Sequence, residues 1–268
     1  MEVLYGLHPV EEAVRAGSRR LDCVMLARER KDERLERLAE TCRAAGVRIS
    51  FESRDHLTRT ARTDAHQGVL ALVKERAFLG VEDLLAAKDR PNDGASQHRF
   101  FLALDGIEDP HNLGALLRTA DGAGIDGVIL PERRSAPVTA TVAKTSAGAS
   151  EHVRIARVTN LVRALEQMKK ANVWVLGLDE RGTPDYTDFD FRADCVLVLG
   201  REGAGLHDLV KKTCDHLLRI PMAGMVSSLN VSVAGAVVMY EALRQRSRPA
   251  EPAPKAAATA KPRKGLGS

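Results

Sequence analysis

Hydrophobic residues in the first 75 positions recur with two different periods. The spacing predicts helices over 9–16 and 32–45 and strands over 21–26, 47–51 and 69–73. In the longer helix, Leu35, Leu38 and Cys42 fall on one face, and Gly46 follows as a residue type that commonly ends helices. Helices and strands mixed in so short a stretch indicate a small α/β domain.

From Phe100 onward, apolar runs and helical patterns alternate along the chain. Strands are predicted over 100–104, 127–130, 152–156, 173–178, 195–199 and 217–220, and helices over 113–123, 138–147, 160–171, 206–213 and 229–244. Strands separated by helices favour a mostly parallel sheet covered on both faces, with Trp174 in its core. Such sheets bind ligands beyond the carboxyl ends of their strands, so functional residues are expected just after each strand.

Composition and turn-forming residues divide the chain into parts. The 268 residues are 44% hydrophobic and 28% charged, which is typical of a globular protein with two compact domains. A helix predicted at 81–88 precedes a segment at 89–96 that is rich in turn formers. The predicted organisation is a first domain at 1–76, a linker at 77–98, a second domain at 99–246 and a disordered basic tail at 247–268.

The net charge of +4 is concentrated near the C-terminus, where six basic residues and one acidic residue follow Gln245. Any affinity of the two domains for nucleic acid must therefore come from local patches. The cysteines at 23, 42, 195 and 214 form no C-x-x-C pair, which argues against a disulfide framework and a metal site. Without a membrane-length apolar run or a secretory signal pattern, the interpretation is a cytoplasmic protein.

The first candidate segment follows the strand predicted at 100–104. Asn112 is expected to cap a helix, and Arg118 lies about 140° from Leu113 around the helix axis, off the apolar stripe. An arginine in that place can bind an anion. Taken alone, the segment favours the plainer alternative of a capping Asn beside a solvated Arg.

Two further candidate segments follow later strands. Residues 200–205 read G-R-E-G-A-G, whose glycines let the backbone approach a ligand, while Glu202 either accepts hydrogen bonds in a pocket or caps the next helix. Residues 220–234 run from Ile-Pro-Met into Ser-Ser-Leu-Asn and an apolar helix, which is expected to be buried or at a subunit interface. A serine cap explains one of these serines but leaves Asn230 without a role.

Together the three segments resemble the signature motifs of the SpoU (TrmH-like) branch of the SPOUT RNA methyltransferases. Asn112 and Arg118 match N-x-x-x-x-x-R; Gly200, Glu202 and Gly205 match G-x-E-x-x-G; and residues 220–234 match I-P-M-x-G…S-L-N-V-S-V-A. The patches at 5–10 and 66–69 make the first domain similar to the substrate-binding domain of 23S rRNA guanosine-2′-O-methyltransferases.

This resemblance implies a fold, an assembly and a cofactor. The fold is an L30e-like RNA-binding domain followed by an α/β SPOUT domain, with a mostly parallel sheet tied in a deep trefoil knot; the assembly is a homodimer. The cofactor is S-adenosyl-L-methionine, for which the matched binding residues are Leu178, Gly200, Glu202, Gly203, Ile220, Met222 and Leu229. The matched catalytic residues are Arg118, Asn112, Glu202, Ser228 and Asn230.

The implied reaction transfers a methyl group to a ribose 2′-hydroxyl of RNA, with a guanosine of 23S rRNA as the expected substrate. Arg118 is interpreted as a clamp for a phosphate or an oxyanion, because a guanidinium with a pKa above about 12 is a poor base. Only 4% of the residues are aromatic, so phosphate contacts are expected to outweigh base stacking in RNA recognition.

Three alternatives remain at this point. One is a tRNA ribose 2′-O-methyltransferase of the same family, and another is a non-catalytic RNA-binding ribosome-assembly factor. The third, a nucleotide-dependent oxidoreductase, is disfavoured by the lack of G-x-G-x-x-G. Neither DNA nor a membrane is expected as a partner.

Overall fold

The computed structural model describes residues 1–30, 32–86 and 98–247. The first domain contains, in chain order, β1 (Glu2–Tyr5), α1 (Leu7–Ala16), β2 (Leu21–Ala27), α2 (Glu33–Ala44), β3 (Ile49–Glu52), α3 (Arg54–Ala61) and β4 (Val69–Val73). Its sheet has the strand order β1-β4-β2-β3, in which β4 is antiparallel to both neighbours and β2 is parallel to β3.

Two elements of this domain go beyond the sequence prediction. The strand β1 has only four residues, too few for a periodic pattern. The helix α3 is polar almost throughout and buries only Leu57, so it has no apolar stripe from which it could be predicted. Its start is set by Ser53, whose hydroxyl accepts a hydrogen bond from the backbone N–H of His56 at 3.3 Å.

The second domain follows a short helix, α4 (Val81–Ala86). Its strands are β5 (Phe100–Leu104), β6 (Gly127–Pro131), β7 (Ile155–Val158), β8 (Trp174–Leu178), β9 (Cys195–Leu199) and β10 (His216–Leu218). Its helices are α5 (Pro110–Gly122), α6 (Ala140–Thr145), α7 (Leu161–Lys170), α8 (Asp208–Thr213) and α9 (Val231–Arg246). The strand order is β10-β8-β9-β5-β6-β7 with every pair parallel, which confirms the predicted sheet.

Both faces of this sheet are covered. All five residues of β5 are buried: Leu102 and Leu104 pack in the layer that contains α5 and α9, and Phe101 and Ala103 pack in the layer that contains α7. A parallel strand enclosed on both sides has no solvent face, which explains why it appears in the sequence as a continuous apolar run.

Two expectations about the second domain are wrong in detail. The strand predicted at 152–156 is β7, which begins only at Ile155, because residues 149–151 form a 3₁₀ turn that contacts the first domain. Trp174 is not in the core: 47% of the residue is exposed, because β10 pairs with β8 only from Leu176 onward and leaves the start of β8 uncovered.

Parts of the predicted organisation lie outside the described residues. These are the end of the helix predicted at 81–88, the turn-rich segment at 89–96 and the tail from 248 onward. Among the described helices, none has the length and apolar character needed to cross a membrane.

A set of charges joins the two domains, buried at Arg19, Arg76 and Glu151 and exposed at Glu2; we call these four residues the Glu151 cluster. The Glu151 carboxylate is 1% exposed, accepts a hydrogen bond from Arg76 at 2.7 Å and lies 3.4 Å from Nε of Arg19. Arg19, itself 5% exposed at its side chain, also donates to Glu2 at 2.6 Å. Ser18 donates to the carbonyl of Glu151 at 3.1 Å. The first domain is thus fixed against the 3₁₀ turn before β7.

Candidate functional site

A cavity of about 390 Å³ opens at the carboxyl ends of the adjacent strands β10, β8 and β9. Its walls come from three loops, at 178–181, 199–206 and 220–230, and from the first turns of α8 and α9. The residues matched above to cofactor binding all line it: Leu178, Gly200, Glu202, Gly203, Ile220, Met222 and Leu229. The cavity therefore lies where an open parallel sheet commonly binds its ligand.

The loop after β9 folds back tightly on itself. The backbone of Arg201 exchanges hydrogen bonds with that of Gly205, at 3.0 and 2.9 Å. A Cβ atom at Gly200 would lie 2.3 Å from the carbonyl carbon of Gly205, so no other residue type fits there. Gly203 and Gly205 have positive φ angles of 70° and 65°, which glycine adopts without strain. The glycine spacing of this motif is thus a requirement of the turn.

Asn230 connects the three candidate segments, and we call Asn112, Glu202 and Asn230 the Asn230 cluster. Its Nδ2 group donates to Oδ1 of Asn112 at 3.1 Å and to Oε1 of Glu202 at 2.5 Å. Its Oδ1 atom accepts from the backbone N–H of Ser232 at 2.9 Å and so caps α9. One amide therefore begins α9 and connects α5 to the loop after β9, which gives Asn230 the role that a serine cap left unexplained.

Asn112 does not cap α5, contrary to the sequence prediction. The cap is Asp109, whose carboxylate accepts from the backbone N–H groups of His111 and Asn112 at 3.1 and 3.2 Å. Pro110, in the first turn, is compatible with this start because a helix leaves its first N–H groups unpaired. With the cap supplied by Asp109, the side chain of Asn112 is available to Asn230.

Glu202 does not cap the next helix. The helix α8 begins at Asp208 after His207, and Glu202 instead accepts a hydrogen bond from Asn230 at the exposed rim of the cavity. Its second carboxylate oxygen makes no hydrogen bond within the described residues. This oxygen is available to a hydroxyl donor from a ligand.

Ser228 and Arg118 occupy different places. Ser228 lines the cavity next to Leu229. Arg118 is exposed on α5, does not line the cavity, and makes no hydrogen bond or ion pair within the described part of the chain. Six residues along a helix separate it from Asn112 by about 9 Å of rise. The chain thus places Glu202 and Ser228 at the cavity, links Asn112 and Asn230 to Glu202 by hydrogen bonds, and leaves Arg118 apart from them.

The two sequence patches of the first domain come together. The backbone N–H of Gly6 donates to Val69 at 3.1 Å, and that of Leu7 donates to the side chain of Gln67 at 3.2 Å. Arg30, which the sequence did not single out, donates to the carbonyl of Gln67 at 2.5 Å. Gln67 itself has a positive φ angle of 55°.

His66 anchors the second of these patches. Its Nδ1 atom accepts from the backbone N–H of Gly68 at 3.0 Å, and its Nε2 atom lies 3.0 Å from the hydroxyl of Thr58. Burial, followed by the positive charge of Arg54, lowers the pKa of His66 below its usual value. The neutral imidazole is therefore part of the folded structure.

Charged groups at the far side of the cavity are mutually compensated. Lys211 pairs with Asp179 at 2.6 Å, and Arg181 lies 3.8 Å from Glu180. Among the described residues, no group of three or more His, Cys, Asp or Glu side chains is arranged to hold a metal ion. The cavity combines apolar side chains with exposed backbone, a composition that suits a small organic ligand of mixed polarity.

Family comparison gives a match to each domain. Residues 99–240 match the SpoU rRNA Methylase family, and residues 3–79 match the RNA 2′-O ribose methyltransferase substrate binding family. The chain belongs to the SpoU rRNA methylase family. The match to the methylase family covers the whole cavity and the Asn230 cluster, and the other covers both patches of the first domain.

Known relatives resemble this SpoU methylase along nearly its full length. The 23S rRNA (guanosine-2′-O-)-methyltransferase RlmB of Escherichia coli K12 is 41% identical over 251 residues, which cover 92% of this chain and 99% of the relative. The putative TrmH family tRNA/rRNA methyltransferase YacO of Bacillus subtilis is 40% identical over 246 residues, 92% of this chain and 96% of the relative.

A solved structure shares the fold. The SpoU methyltransferase AviRb from Streptomyces viridochromogenes is 25% identical, has a TM-score of 0.76, and the match covers 91% of this chain and 89% of AviRb. The complex of AviRb with the cofactor AdoMet gives a TM-score of 0.74 at 26% identity, over 91% and 90% of the two chains.

These comparisons confirm the predicted family, fold class and enzyme class of this SpoU methylase, an RNA 2′-O-methyltransferase that uses S-adenosylmethionine. The cavity is consistent with that cofactor. Its volume of about 390 Å³ lies within the usual range of small-molecule sites, about 300–1,000 Å³. Leu178, Ile220 and Leu229 offer apolar surface for an adenine ring, and the glycine turn at 200–205 offers backbone groups.

Proposed function

We propose that this protein methylates the ribose 2′-hydroxyl of a guanosine in 23S rRNA. The observation that carries the proposal is the Asn230 cluster at the rim of a cofactor-sized cavity. The 41% identity to a 23S rRNA (guanosine-2′-O-)-methyltransferase, over 92% of the chain, supports rRNA as the substrate. Work on rRNA in turn supports a cytoplasmic location.

The cavity residues are proposed to bind S-adenosylmethionine through the loops after β8, β9 and β10. When bound, the cofactor supplies a methyl group on a sulfonium, which is a good leaving group. Leu178, Ile220 and Leu229 would enclose the adenine, while backbone groups at Gly200 and Met222 would bind its polar edges. The chain's own task is then to hold the ribose oxygen in line and to assist the loss of its proton.

The Asn230 cluster and Ser228 are proposed to position the acceptor ribose. The free carboxylate oxygen of Glu202 accepts a hydrogen bond from a ribose hydroxyl, and Ser228 offers a second polar contact. Asn230 fixes α5 relative to the loop after β9, because its Nδ2 group is shared between Asn112 and Glu202. These residues orient the substrate rather than carry charge to the reacting oxygen.

Arg118 is proposed to act on the site of a partner subunit in a homodimer. It is exposed on α5 and has no contact with the Asn230 cluster of its own chain. The neighbouring helix α9 exposes Val233 and Tyr240, and a Cβ atom at Gly122 of α5 would lie 3.1 Å from the Tyr240 hydroxyl. A dimer formed through α5 and α9 would cover this apolar surface and carry Arg118 to the other cavity.

The deep trefoil knot belongs to the same proposal. The loop after β8 bridges to the segment around β10 at two places, between Thr183 and Leu217 and between Asp185 and Arg219. A Cβ atom at Gly182 would lie 2.5 Å from the carbonyl oxygen of Leu217, so the two segments cross in close contact. This close crossing supports the proposal that the chain passes through its own loop to form the knot.

Methyl transfer from tritiated S-adenosylmethionine to unmodified 23S rRNA and to bulk tRNA tests the activity. The proposal expects label at one guanosine ribose of 23S rRNA and loss of the label with Arg118→Ala. Label confined to tRNA would contradict the substrate while retaining the chemistry. If the cofactor binds and neither RNA is labelled, the catalytic proposal fails in favour of an RNA-binding role.

Mixed dimers test how Arg118 is used. Neither Arg118→Ala nor Asn230→Ala is expected to be active alone. A mixed dimer contains one Arg118→Ala subunit and one Asn230→Ala subunit. The Arg118→Ala subunit has an intact cavity, and the Asn230→Ala subunit supplies Arg118 to it, so activity returns at one of the two sites. Mixed dimers without activity would contradict a shared site.

A further inference from the structure

A second group of polar residues lies at the same edge of the sheet, between β5 and β9. Asp105 follows β5 and donates from its backbone N–H to the carbonyl of Leu199 at 2.7 Å. Its carboxylate, 7% exposed, accepts from the backbone N–H of His207 at 2.7 Å and lies 2.8 Å from Nδ1 of the same residue. These two contacts fix the orientation of the imidazole ring.

Arg201 and His207 both lie beside Gly106. Gly106 has a φ angle of +83°, and a Cβ atom there would lie 2.7 Å from Cγ of Arg201 and 3.5 Å from Cε1 of His207. The stem of Arg201 thus occupies the space that a side chain at 106 would take, next to the ring held by Asp105. Glycine at position 106 therefore leaves the space that the Arg201 side chain occupies.

Arg201 has no ion-pair partner among the described residues. Its Nε atom is buried without a hydrogen-bond partner, and within the described residues its guanidinium pairs with no acid. The other two basic residues that line the cavity, Lys211 and Arg181, have acidic neighbours at 2.6 and 3.8 Å. A buried donor without a partner is costly, so this arginine is arranged for an acceptor that comes from outside the chain.

We propose that Arg201 binds a phosphodiester of the RNA substrate next to the target ribose, and that Asp105 and His207 position it. This inference rests on the proposed function. The loop that begins at Asp105 and Gly106 leads into α5, which carries Asn112, so the arginine is on the side of the cavity where the ribose is proposed to bind. The planar guanidinium matches phosphate oxygens in a two-pronged contact.

Local charge explains why a phosphate contact is needed there. Glu202, adjacent in sequence to Arg201, is the only charged member of the Asn230 cluster and is negative. Glu108 and Asp109, on the loop that leads to Asn112, are also acidic. An RNA backbone that approaches these carboxylates is repelled, and Arg201 offsets the repulsion at the position where the phosphate must pass.

Separate binding measurements for RNA and cofactor test the inference. Arg201→Ala is expected to weaken binding of an unmodified 23S rRNA transcript about tenfold. It should also reduce the slope of log K against log salt by about 0.7–0.9, which corresponds to one lost phosphate contact. The Kd for S-adenosylmethionine, measured by calorimetry without RNA, should stay at the wild-type value.

Two further variants separate charge from position. Arg192→Ala is the matched control, because Arg192 is exposed, pairs with Asp190 at 2.8 Å and precedes β9 at the opposite edge of the sheet. It should leave RNA binding and its salt slope unchanged. His207→Ala should weaken RNA binding less than Arg201→Ala, and the double variant should bind RNA no more weakly than Arg201→Ala alone, because His207 acts only through Arg201.

Other outcomes overturn the inference. A weaker cofactor Kd with unchanged RNA binding would assign Arg201 to the carboxylate of S-adenosylmethionine. Weaker binding of both ligands together with a lower Tm would show collapse of the 200–205 loop, and unchanged binding of both would leave no anion subsite. Failure of wild-type methyl transfer to any RNA contradicts the proposed function instead, and the RNA-binding comparison distinguishes that case.

Discussion

Two polar clusters hold this chain together in opposite environments. The Asn230 cluster has two exposed members at the rim of the cavity, Glu202 and Asn230, and joins α5 to the loop after β9 through a single shared amide. The Glu151 cluster is enclosed between two domains and joins them through charges. Within it, Arg19 Nε, Arg76 Nε and Glu151 Oε2 have no hydrogen-bond partner among the residues that the structure describes. In the Asn230 cluster, the unpaired carboxylate oxygen of Glu202 is available to a ligand. In the Glu151 cluster, the unpaired atoms are enclosed where the two domains meet.

The difference teaches where each kind of cluster acts. A charge in the interior has lost its hydration and depends on its partners, so removal of one partner leaves the others uncompensated. A polar group at the surface exchanges a lost partner for water at little cost. Substitutions in the Glu151 cluster should therefore change folding stability, and substitutions at the rim should change activity.

The largest effect is expected for Glu151→Gln, which removes the negative charge shared by Arg19 and Arg76. Burial lowers the pKa of Arg76, and the charge of Glu151 opposes that shift. The free energy of unfolding, measured by urea titration, should fall by about 3–5 kcal/mol. Glu33→Gln is the control, since Glu33 pairs with Arg37 on the exposed face of α2 and should cost less than about 1 kcal/mol. An equal loss of unfolding free energy in both variants would contradict the greater importance of the buried cluster for stability.

Arg118→Ala should reverse this pattern. The side chain is exposed and unpaired within the described residues, so the unfolding free energy should change by less than about 0.5 kcal/mol. The rate of methyl transfer to 23S rRNA should fall by about 10²–10³-fold, as for the loss of a charge-stabilising donor. Arg163→Ala, an exposed arginine on α7, should keep full activity. A large stability loss in Arg118→Ala would show that its role is structural.

Asn230→Asp should separate the two tasks of one residue. The carboxylate still caps α9, but it no longer donates to Asn112 and it faces Glu202 with like charge. Methyl transfer should fall by about 10²-fold, while the unfolding free energy should change by less than about 1 kcal/mol. Asn160→Asp makes the same change at the cap of α7, remote from the cavity, and should be fully active. Equal activity in both variants would contradict a positioning role for Asn230.

The smallest effect is expected from acidification. His66 is neutral in the folded chain because its pKa is lowered, whereas the unfolded chain binds the proton near its usual value of about 6.5. The stabilisation is complete above that value and is lost as the pH falls below it, at a slope of at most about 1.4 kcal/mol per pH unit. Urea midpoints measured from about pH 7 to about pH 5 should fall less in His66→Gln than in the wild type. Parallel curves would exclude His66 as the source.

The sequence predicted the second domain well because parallel strands are enclosed. The five buried residues of β5 and those of β9 form apolar runs that no loop imitates. The four-residue β1 and the polar α3 have no such pattern. Trp174 was wrongly predicted to be buried. The apolar run of β8 does not show that the edge strand β10 is too short to cover its first residue.

The site was predicted as far as its residues lie in continuous motifs. The glycine turn at 200–205 and the segment at 220–234 specify their geometry locally, and both line the cavity. The contact between Asp105 and His207 joins residues 102 positions apart, and neither partner has a local pattern that indicates the other. The cap of α5 was misplaced because Asp109 and Asn112 are both good caps and only the three-dimensional structure distinguishes them.

The position of the apolar surface along the chain has a consequence for synthesis. Six of the ten large hydrophobic residues exposed in the described chain fall within 222–240: Met222, Met225, Val226, Leu229, Val233 and Tyr240. A ribosome that adds about 5–20 residues per second completes the first domain and most of the second sheet before this stretch emerges. The part of the proposed subunit surface that α9 contributes, with Val233 and Tyr240, thus leaves the ribosome only after β5 to β10, which shortens the time in which a half-made chain exposes it.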